Sequence, residues 1–503
     1  MTDEPDVVIG VDIGTTTTKC VAYDLEGHAG RSHAIGYPLL EPRPGYAEQD
    51  PADILAAVIQ TIANVATRCD GKVAAVAFGS AMHGLLGVDG HGDPVTPVVT
   101  WADHRASAQA ERMRAASGGL ALHRRTGTPL HPMAPLPKLV WFREEQPKVT
   151  ARVRYWLGIK DYVLSKLSGV LVTDHSMASG TGLMDIHRLQ WDAESLHLAG
   201  ITAAQLPELV STTTVGPRLV KSVAKELHLP ATTPIVVGAG DGPLANLGLG
   251  AVHPGVAACS IGTSGALRVM VERPTVDEQG RSFCYALTEN RWVVGGAINN
   301  GGLVLGWCGD ALAPELQAGR ADELLREAGT ASPGSDGLIM LPYLHGERAP
   351  HWSSLASGAY VGLKARHGRP HLIRAALEGV CQQLALVLDS VKAAGNEVRE
   401  IRATGGFARG ALWRQMLADV LGMPIGYPRG HEGSSFGAAL LGMGALGLIS
   451  SIDVAADLVE IQETLAPDRD AAQIYADLRP TFDRLYDALV PTFRTLQQRG
   501  SST

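Results

Sequence analysis

No C-x-x-C pair occurs in this chain, and its six cysteines (Cys20, Cys69, Cys259, Cys284, Cys308 and Cys381) lie far apart, mostly within apolar patterns. They read as core thiols of a reducing compartment rather than as a disulfide framework. A Lys/Arg run able to track a phosphate backbone is also missing. The net charge of -8 is spread along the chain, so nucleic acid is not an expected partner. The opening MTDEPD is acidic where a secretory signal would be basic, and a cytoplasmic protein is expected. The longest uncharged stretch, Gly242 to Leu267, is interrupted by Pro243, Asn246, His253 and Pro254, so it reads as a buried, loop-rich segment and no membrane partner is expected. Two nucleotide signatures are absent as well. The G-x-x-x-x-G-K-[ST] spacing does not occur. In GAGDGP, Pro243 stands where a dinucleotide fingerprint needs its third glycine, with no strand-helix unit and suitable acid following.

What is present fits an α/β enzyme. The chain has 503 residues, 45% of them apolar and 19% charged, with 58 glycines, which is too long for one core and implies two domains with a cleft between them. Val7 to Asp12 and Lys19 to Asp24 read as strands joined by a glycine and hydroxyl tip, GTTTT. Asp50-Pro51 starts a helix reaching about Arg68, and Val73 to Phe78 reads as a buried strand. The hairpin pattern returns at Val256 to Ser260 and Ala266 to Val271 around GTSG. DIGTTTTK against SIGTSGALR is thus a weak internal repeat, with a boundary expected near residue 250 between units 1–250 and 251–503. Ile401 to Thr404 followed by Gly405-Gly406 and a helix over Ala411 to Leu421 is a further nucleotide-friendly arrangement. Packing helices are expected at His371 to Ala394 and Ala471 to Gln498, and the residues after about 450 read as helical.

Three features carry chemistry. Gly14-Thr15-Thr16-Thr17-Thr18-Lys19 combines backbone N–H groups, hydroxyls and one cation, which suits a polyphosphate, although a polar β-turn reads the same way. Asp12 is the only charge between Asp6 and Lys19 and closes a buried strand, where a hydrated Mg²⁺ or a turn cap would account for it. Asp241 is the only Asp, Glu, Lys or Arg from Leu227 to Leu267, and it lies in GAGDGP, just after the strand Ile235 to Val237. That isolation between glycines marks a carboxylate able to take a proton from a substrate hydroxyl, or a turn aspartate. Gly262-Thr263-Ser264-Gly265 offers a second phosphate loop, and two loops, a metal-binding acid and a base are sufficient parts for phosphoryl transfer.

DIGTTTTK, SAMHG, GAGDG, SIGTSG and GGFARG, in this order, resemble the FGGY carbohydrate kinases of the actin-like ATPase superfamily, as do MAPLPKLVWFREE (Met133 to Glu145) and GAYVGLKARHGRPHLIRAALE (Gly358 to Glu378). The resemblance implies two ribonuclease-H-like domains flanking a catalytic cleft, with ATP and Mg²⁺ as cofactors. It implies Asp241 as catalytic base, Asp12 on Mg²⁺ through water, and Gly14, Thr15, Thr16, Thr17, Lys19, Gly262 and Thr263 around the phosphates. Gly302, Gly306, Gly406 and Gly410 fall where the family cradles the nucleoside. Gly410 replaces a small polar residue of many relatives and so removes one hydrogen bond to the nucleoside. Met82, His83, Trp101, Asp103 and Arg105, with Asp241, match the sugar contacts, and Lys160 and Asp161 are further candidates. SAMHGLL, TWADHR, LPYLHGERAPHW and GGFARGALWRQMLAD look most like the gluconate-kinase branch, for which His83, Arg105 and Arg348 are candidate carboxylate receptors. The expected partner is a small sugar or sugar acid, with a homodimer as the candidate assembly. A pentulose kinase such as a xylulokinase, and an actin-like or chaperone-like ATPase without a small acceptor, are the alternatives.

Overall fold

The apolar run that opens the chain becomes the central strand of a mixed sheet. The structure, a computed structural model, describes residues 6–69, 71–216, 218–317, 319–429 and 433–500; the acidic residues 1–5 therefore lie outside the described residues. Strand β1 (Asp6–Ile13) turns into the antiparallel β2 (Thr17–Tyr23), which pairs with the exposed edge strand β3 (Ala29–Gly36). Helix α1 (Pro51–Ala66) follows, its first turn capped by the Asp50 carboxylate, which accepts from Ala52 N–H at 2.8 Å. Strand β4 (Lys72–Ser80) then lies parallel to β1, and β5 (Ile235–Gly240) parallel to β4, giving the order β5-β4-β1-β2-β3. Ile9, Val11 and Ile13 pack with Ile54, Val58 and Ile62 of α1, whereas Val8 faces a core on the opposite side. Burial on both faces explains why β1 is nearly all apolar instead of alternating.

The second sheet repeats this plan. Helix α2 (Asp241–Gly248) leads to β6 (Gly255–Ile261), which turns into the antiparallel β7 (Gly265–Val271). Strands β8 (Phe283–Thr288) and β9 (Arg291–Ile298) form a hairpin whose second strand pairs with β7. After helices α3 (Leu303–Leu312) and the long, largely buried α4 (Arg369–Ala393), strand β10 (Val398–Thr404) pairs parallel with β6. Helix α5 (Ala411–Leu421), strand β11 (Ile425–Pro428), helix α6 (Gly433–Ala445), strand β12 (Ile461–Leu465) and helix α7 (Arg469–Gly500) complete the chain. Within the order β8-β9-β7-β6-β10-β11-β12, the run β9-β7-β6-β10-β11 matches the first sheet strand for strand in order and direction.

Three expectations need correction. The Gly242 to Leu267 stretch is not loop-rich: α2 starts at Asp241, and Pro243 lies in its first turn, where the missing N–H costs no helical bond. A strand-helix unit therefore does surround GAGDG. Residues beyond 450 are not all helical, since the β-branched Ile461–Leu465 segment extends the sheet antiparallel to β11. Helix α6 lies late in sequence yet packs on β1 and β4 and crosses α2, so the chain returns to the first sheet. That crossing is backbone on backbone: a Cβ on Gly248 would strike the Gly433 carbonyl, and one on Gly437 the Leu244 carbonyl. Among the described residues no helix is long and apolar enough to cross a membrane.

Candidate active site

Asp241 is the first residue of α2, at the end of β5, so its carboxylate sits at the positive end of a helix and accepts from Gly242 N–H at 2.7 Å. It is half-buried and lines two adjoining cavities. The first, of about 280 Å³, is bounded by Thr15, Met82, His83, Trp101, Arg268, Tyr285 and Arg348, among others. That volume is near the lower limit of roughly 300 Å³ for small-molecule sites, which admits a ligand of sugar size. The second, of about 300 Å³, joins Asp241 to Asp12, Lys19, Thr404 and Ser434. Burial raises the Asp241 pKa, while the Arg268 guanidinium pulls it back.

The first cavity is built with its geometry fixed. His83 is held at φ 67°, an uncommon backbone conformation for a non-glycine residue. Its Nδ1 lies 2.6 Å from the Gly180 carbonyl, which can only accept, so Nδ1 carries the proton and Nε2 is the acceptor, 3.4 Å from the Tyr285 hydroxyl. Burial lowers the His83 pKa to about 3, so the ring stays neutral at working pH. Trp101 Nε1 donates to Thr15 Oγ1 at 2.8 Å, and the Arg348 guanidinium stacks over the Trp101 ring at 4.7 Å. One indole thus touches both the first hairpin tip and the far wall of the cavity.

Lys138, in the helix of the MAPLPKLVW segment, is fully buried and donates to the carbonyls of His83, Val99 and Thr100 at 2.8, 3.2 and 2.7 Å. Three carbonyl acceptors use all three ammonium protons. Burial nevertheless pushes its pKa down to about 7, with Asp103 pulling the other way. Lys138→Met would leave the buried His83 carbonyl without its donor, at roughly 1–3 kcal/mol, while the Val99 and Thr100 carbonyls keep the backbone N–H groups of Leu85 and Asp103. Urea unfolding is expected to show a loss of roughly 1–3 kcal/mol, accompanied by a raised KM for the sugar; an unchanged unfolding midpoint would remove Lys138 from this role.

The expected sugar contacts divide. Met82, His83, Trp101 and Asp241 converge on the cavity, but Asp103 and Arg105 do not. Arg105 donates to both Asp103 oxygens (2.8 and 2.7 Å) and to Glu48 Oε1 (2.6 Å), and its guanidinium lies 4.0 Å from the Tyr46 ring centroid. Asp103 also accepts from Ala47 N–H at 2.7 Å. This pair is consumed in bracing the loop that presents Trp101. Lys160 and Asp161 are likewise structural: Lys160 forms a fully buried ion pair with Asp174 at 2.6 Å, and Asp161 caps its own helix through Gly158 N–H at 2.7 Å. Arg348 does not spend its side chain on Glu347, whose carboxylate accepts instead from the backbone N–H groups of Asn299 and Arg348. Its Nη2 donates to the Ile298 carbonyl at 3.0 Å, while Nε has no hydrogen-bond partner among the described residues.

Around the second cavity, Asp12 and Lys19 are paired across β1 and β2, and the tip between them is tied back by Tyr37 OH to the Gly14 carbonyl at 2.7 Å. Thr15, Thr16 and Thr17 remain at least partly accessible, whereas Thr18 points inward, 3.2 Å from Tyr37 OH. Gly262 and Thr263 cap the opposite hairpin. Their carbonyls accept from Gly302 N–H (2.6 Å) and Gly301 N–H (3.1 Å), so the loop before α3 lies directly on this tip. Gly405, at φ 116°, brings the Gly406 loop against the Ile261 carbonyl. Gly306 and Gly406 are exposed, and Gly410 is backed by Leu325, whose Cδ1 would lie 2.5 Å from an added Cβ. Among the described residues no group of three or more His, Cys, Asp or Glu could hold a metal. The Asp12 carboxylate, near a strand end and lining the second cavity with Lys19, nevertheless fits Mg²⁺, which keeps several waters and takes phosphate oxygens as ligands.

Sequence reasoning missed Arg268, Tyr285, Ser260, Thr404 and Ser434. Arg268 and Tyr285 are polar residues inside otherwise apolar strand segments, Ser260 and Thr404 lie at or next to strand ends, and Ser434 opens a helix; only the assembled sheets bring them to the cleft.

Two matching sheets closing on a carboxylate, a sugar-sized cavity and facing hairpin tips have the build of ATP-dependent carbohydrate kinases with the actin-like fold. Residues 7–248 match the N-terminal domain, and residues 257–446 the C-terminal domain, of the FGGY family of carbohydrate kinases. The chain belongs to this family. It is 41% identical to a gluconokinase of Bacillus subtilis over 99% of both chains, and 28% identical to a xylulose kinase of Staphylococcus epidermidis over 96% of both. The crystal structure of a gluconate kinase from Lactobacillus acidophilus superposes with a TM-score of 0.93 at 35% identity, covering 98% of this chain and 100% of that one.

Proposed function

We propose that the protein transfers the γ-phosphoryl group of ATP to the 6-hydroxyl of D-gluconate, giving 6-phosphogluconate and ADP. The observation that carries the choice of a sugar acid is Arg348, a buried cation lining the sugar cavity whose Nε has no partner among the described residues. Burial disfavours this charge and the Glu347 carboxylate compensates only in part, so a ligand carboxylate accepting from the open Nε would stabilise it further. Burial lowers its pKa only to about 10, so it remains charged at neutral pH. Resemblance to the gluconokinases adds support.

In this reading the carboxylate lies toward Arg348, and His83 Nε2 and Met82 meet the polyol. Asp241 accepts the proton of the attacking hydroxyl. Gly14, Thr15, Thr16, Thr17 and Lys19 hold the phosphates from one side, and Gly262 and Thr263 from the other. Gly302, Gly306, Gly406 and Gly410 cradle the nucleoside. Mg²⁺ beside Asp12 would supply charge neutralisation for the phosphates. Closure of unit 1–250 on unit 251–503 keeps water from the reacting phosphoryl group. Six free cysteines, five of them buried, suit a cytoplasmic setting.

A pentulose kinase is the second reading, favoured by the likeness to a ligand-bound xylulose kinase from Lactobacillus acidophilus at 35% identity and a TM-score of 0.93. An ADP-release assay with gluconate, xylulose, ribulose and glycerol separates the two. Gluconate is expected to give the highest kcat/KM. A higher value for xylulose would overturn the sugar assignment, and ATP hydrolysis indifferent to every sugar would overturn the kinase.

A further inference from the structure

Asp241, Gly242, Ser260 and Arg268 are the residues common to the sugar cavity and the phosphate cavity. Arg268 is the one cation among them. It lies in β7, opposite Ala258 of β6 and Gly295 of β9, two small neighbours that leave its long side chain room beside the sheet. A Cβ on Gly295 would strike the Leu267 carbonyl oxygen and also crowd Arg268 Cγ at 3.1 Å, so glycine is required beside the stem. From this position the guanidinium reaches across the cleft to the start of α2, where its Nε lies 3.6 Å from a Cβ built on Gly242. Its backbone is tied to the same helix, because Asn246 Nδ2 donates to the Arg268 carbonyl at 3.2 Å. The buried Nη1 has no hydrogen-bond partner among the described residues.

The boundary between an acceptor cavity and a phosphate cavity is where the transferring group must pass. Resting on the kinase reading above, we infer that Arg268 is a catalytic residue whose guanidinium binds the equatorial oxygens of the phosphoryl group in transit. In that step a new P–O bond forms to the sugar hydroxyl oxygen while the bond from the γ-phosphorus to the ADP oxygen breaks. The hydroxyl proton passes to Asp241. Charge spreads over the three equatorial oxygens as this happens, and a partly desolvated guanidinium already at this boundary stabilises it more than it stabilises the ground state. The same cation favours the ionised form of Asp241, which keeps the base competent despite its burial. Arg268 and Arg348 thus divide the two charged ends of a phosphorylated sugar acid, Arg268 beside the phosphoryl group and Arg348 over Trp101.

Arg268→Ala is expected to lower kcat on the order of 10²–10³-fold, with KM for gluconate and ATP within about threefold of wild type. Arg268→Lys should recover part of the loss, and added guanidinium ion should restore part of the activity of the alanine variant, which a merely structural defect would not allow. Calorimetry gives an independent reading: ADP with aluminium fluoride should bind wild type more tightly than ADP alone, and Arg268→Ala should lose that gain. A kcat within threefold of wild type, or a retained fluoride gain, would overturn the assignment. So would a KM for gluconate raised tenfold or more at unchanged kcat, since Arg268 would then be reading the carboxylate. Wild-type turnover in the sugar panel tests the kinase reading alone, and the fluoride comparison reports on Arg268 whichever acceptor that panel selects.

Discussion

Asp241→Asn is expected to lower kcat by roughly 10²–10⁴-fold, the range for loss of a positioned general base, while calorimetric affinity for the sugar changes only a few-fold. The amide is nearly isosteric and keeps an oxygen for Gly242 N–H, so the start of α2 should hold its shape. Removing a charge whose burial is unfavourable should also leave thermal stability equal to wild type or slightly higher. The pH dependence has a definite sign. The base works ionised and burial raises its pKa, so wild-type kcat/KM should decline as pH falls through that raised value, and the residual activity of the variant should lack this limb. His83 contributes nothing to that limb, since its ring is already neutral above about 3. Near-normal turnover by Asp241→Asn in an ADP-release assay would sink the base assignment.

The second large effect is expected at Arg348. Arg348→Gln should raise KM for gluconate by about 10- to 150-fold, the equivalent of losing charge-assisted hydrogen bonds on the order of 1.5–3 kcal/mol. Turnover of a neutral pentulose, whatever its starting level, should change far less. Arg348→Lys should rescue poorly, because an ammonium lacks the planar face that stacks on Trp101. If gluconate KM stays within twofold while kcat falls, Arg348 supports the loop through Trp101 and the carboxylate lies elsewhere.

Much of this molecule is legible in its residues because the informative parts are local. Both hairpins are short apolar runs around glycine-hydroxyl tips, and the structure places their strands within a residue or two of the expected ends. Asp241 announces itself by isolation, since nothing else charged lies in its neighbourhood of the chain. Other features depend on partners far away in sequence. Arg105 reads as a receptor in TWADHR until the fold brings Glu48, 57 residues earlier, to its guanidinium. Lys138 sits in an apolar helix whose sequence says nothing of the three carbonyls it will meet. Arg268 occupies an ordinary strand position, and its exposure to two cavities exists only once the sheets face each other across α2. The return of α6 to the first sheet is of the same kind, a fact of assembly with no local signature.

The contact between α2 and α6 sets a limit on how this scaffold can change. Where Gly248 meets Gly433 and Gly437 meets Leu244, main chain abuts main chain and even a methyl group has no room. Such a seam is locked by volume alone, and no choice of side-chain chemistry can substitute for empty space there. The cavity walls, by contrast, draw on loops and strand positions such as Met82, Trp101 and Arg348, which can be exchanged without moving that seam. An engineer seeking a new acceptor would therefore redraw the walls and leave the glycines alone.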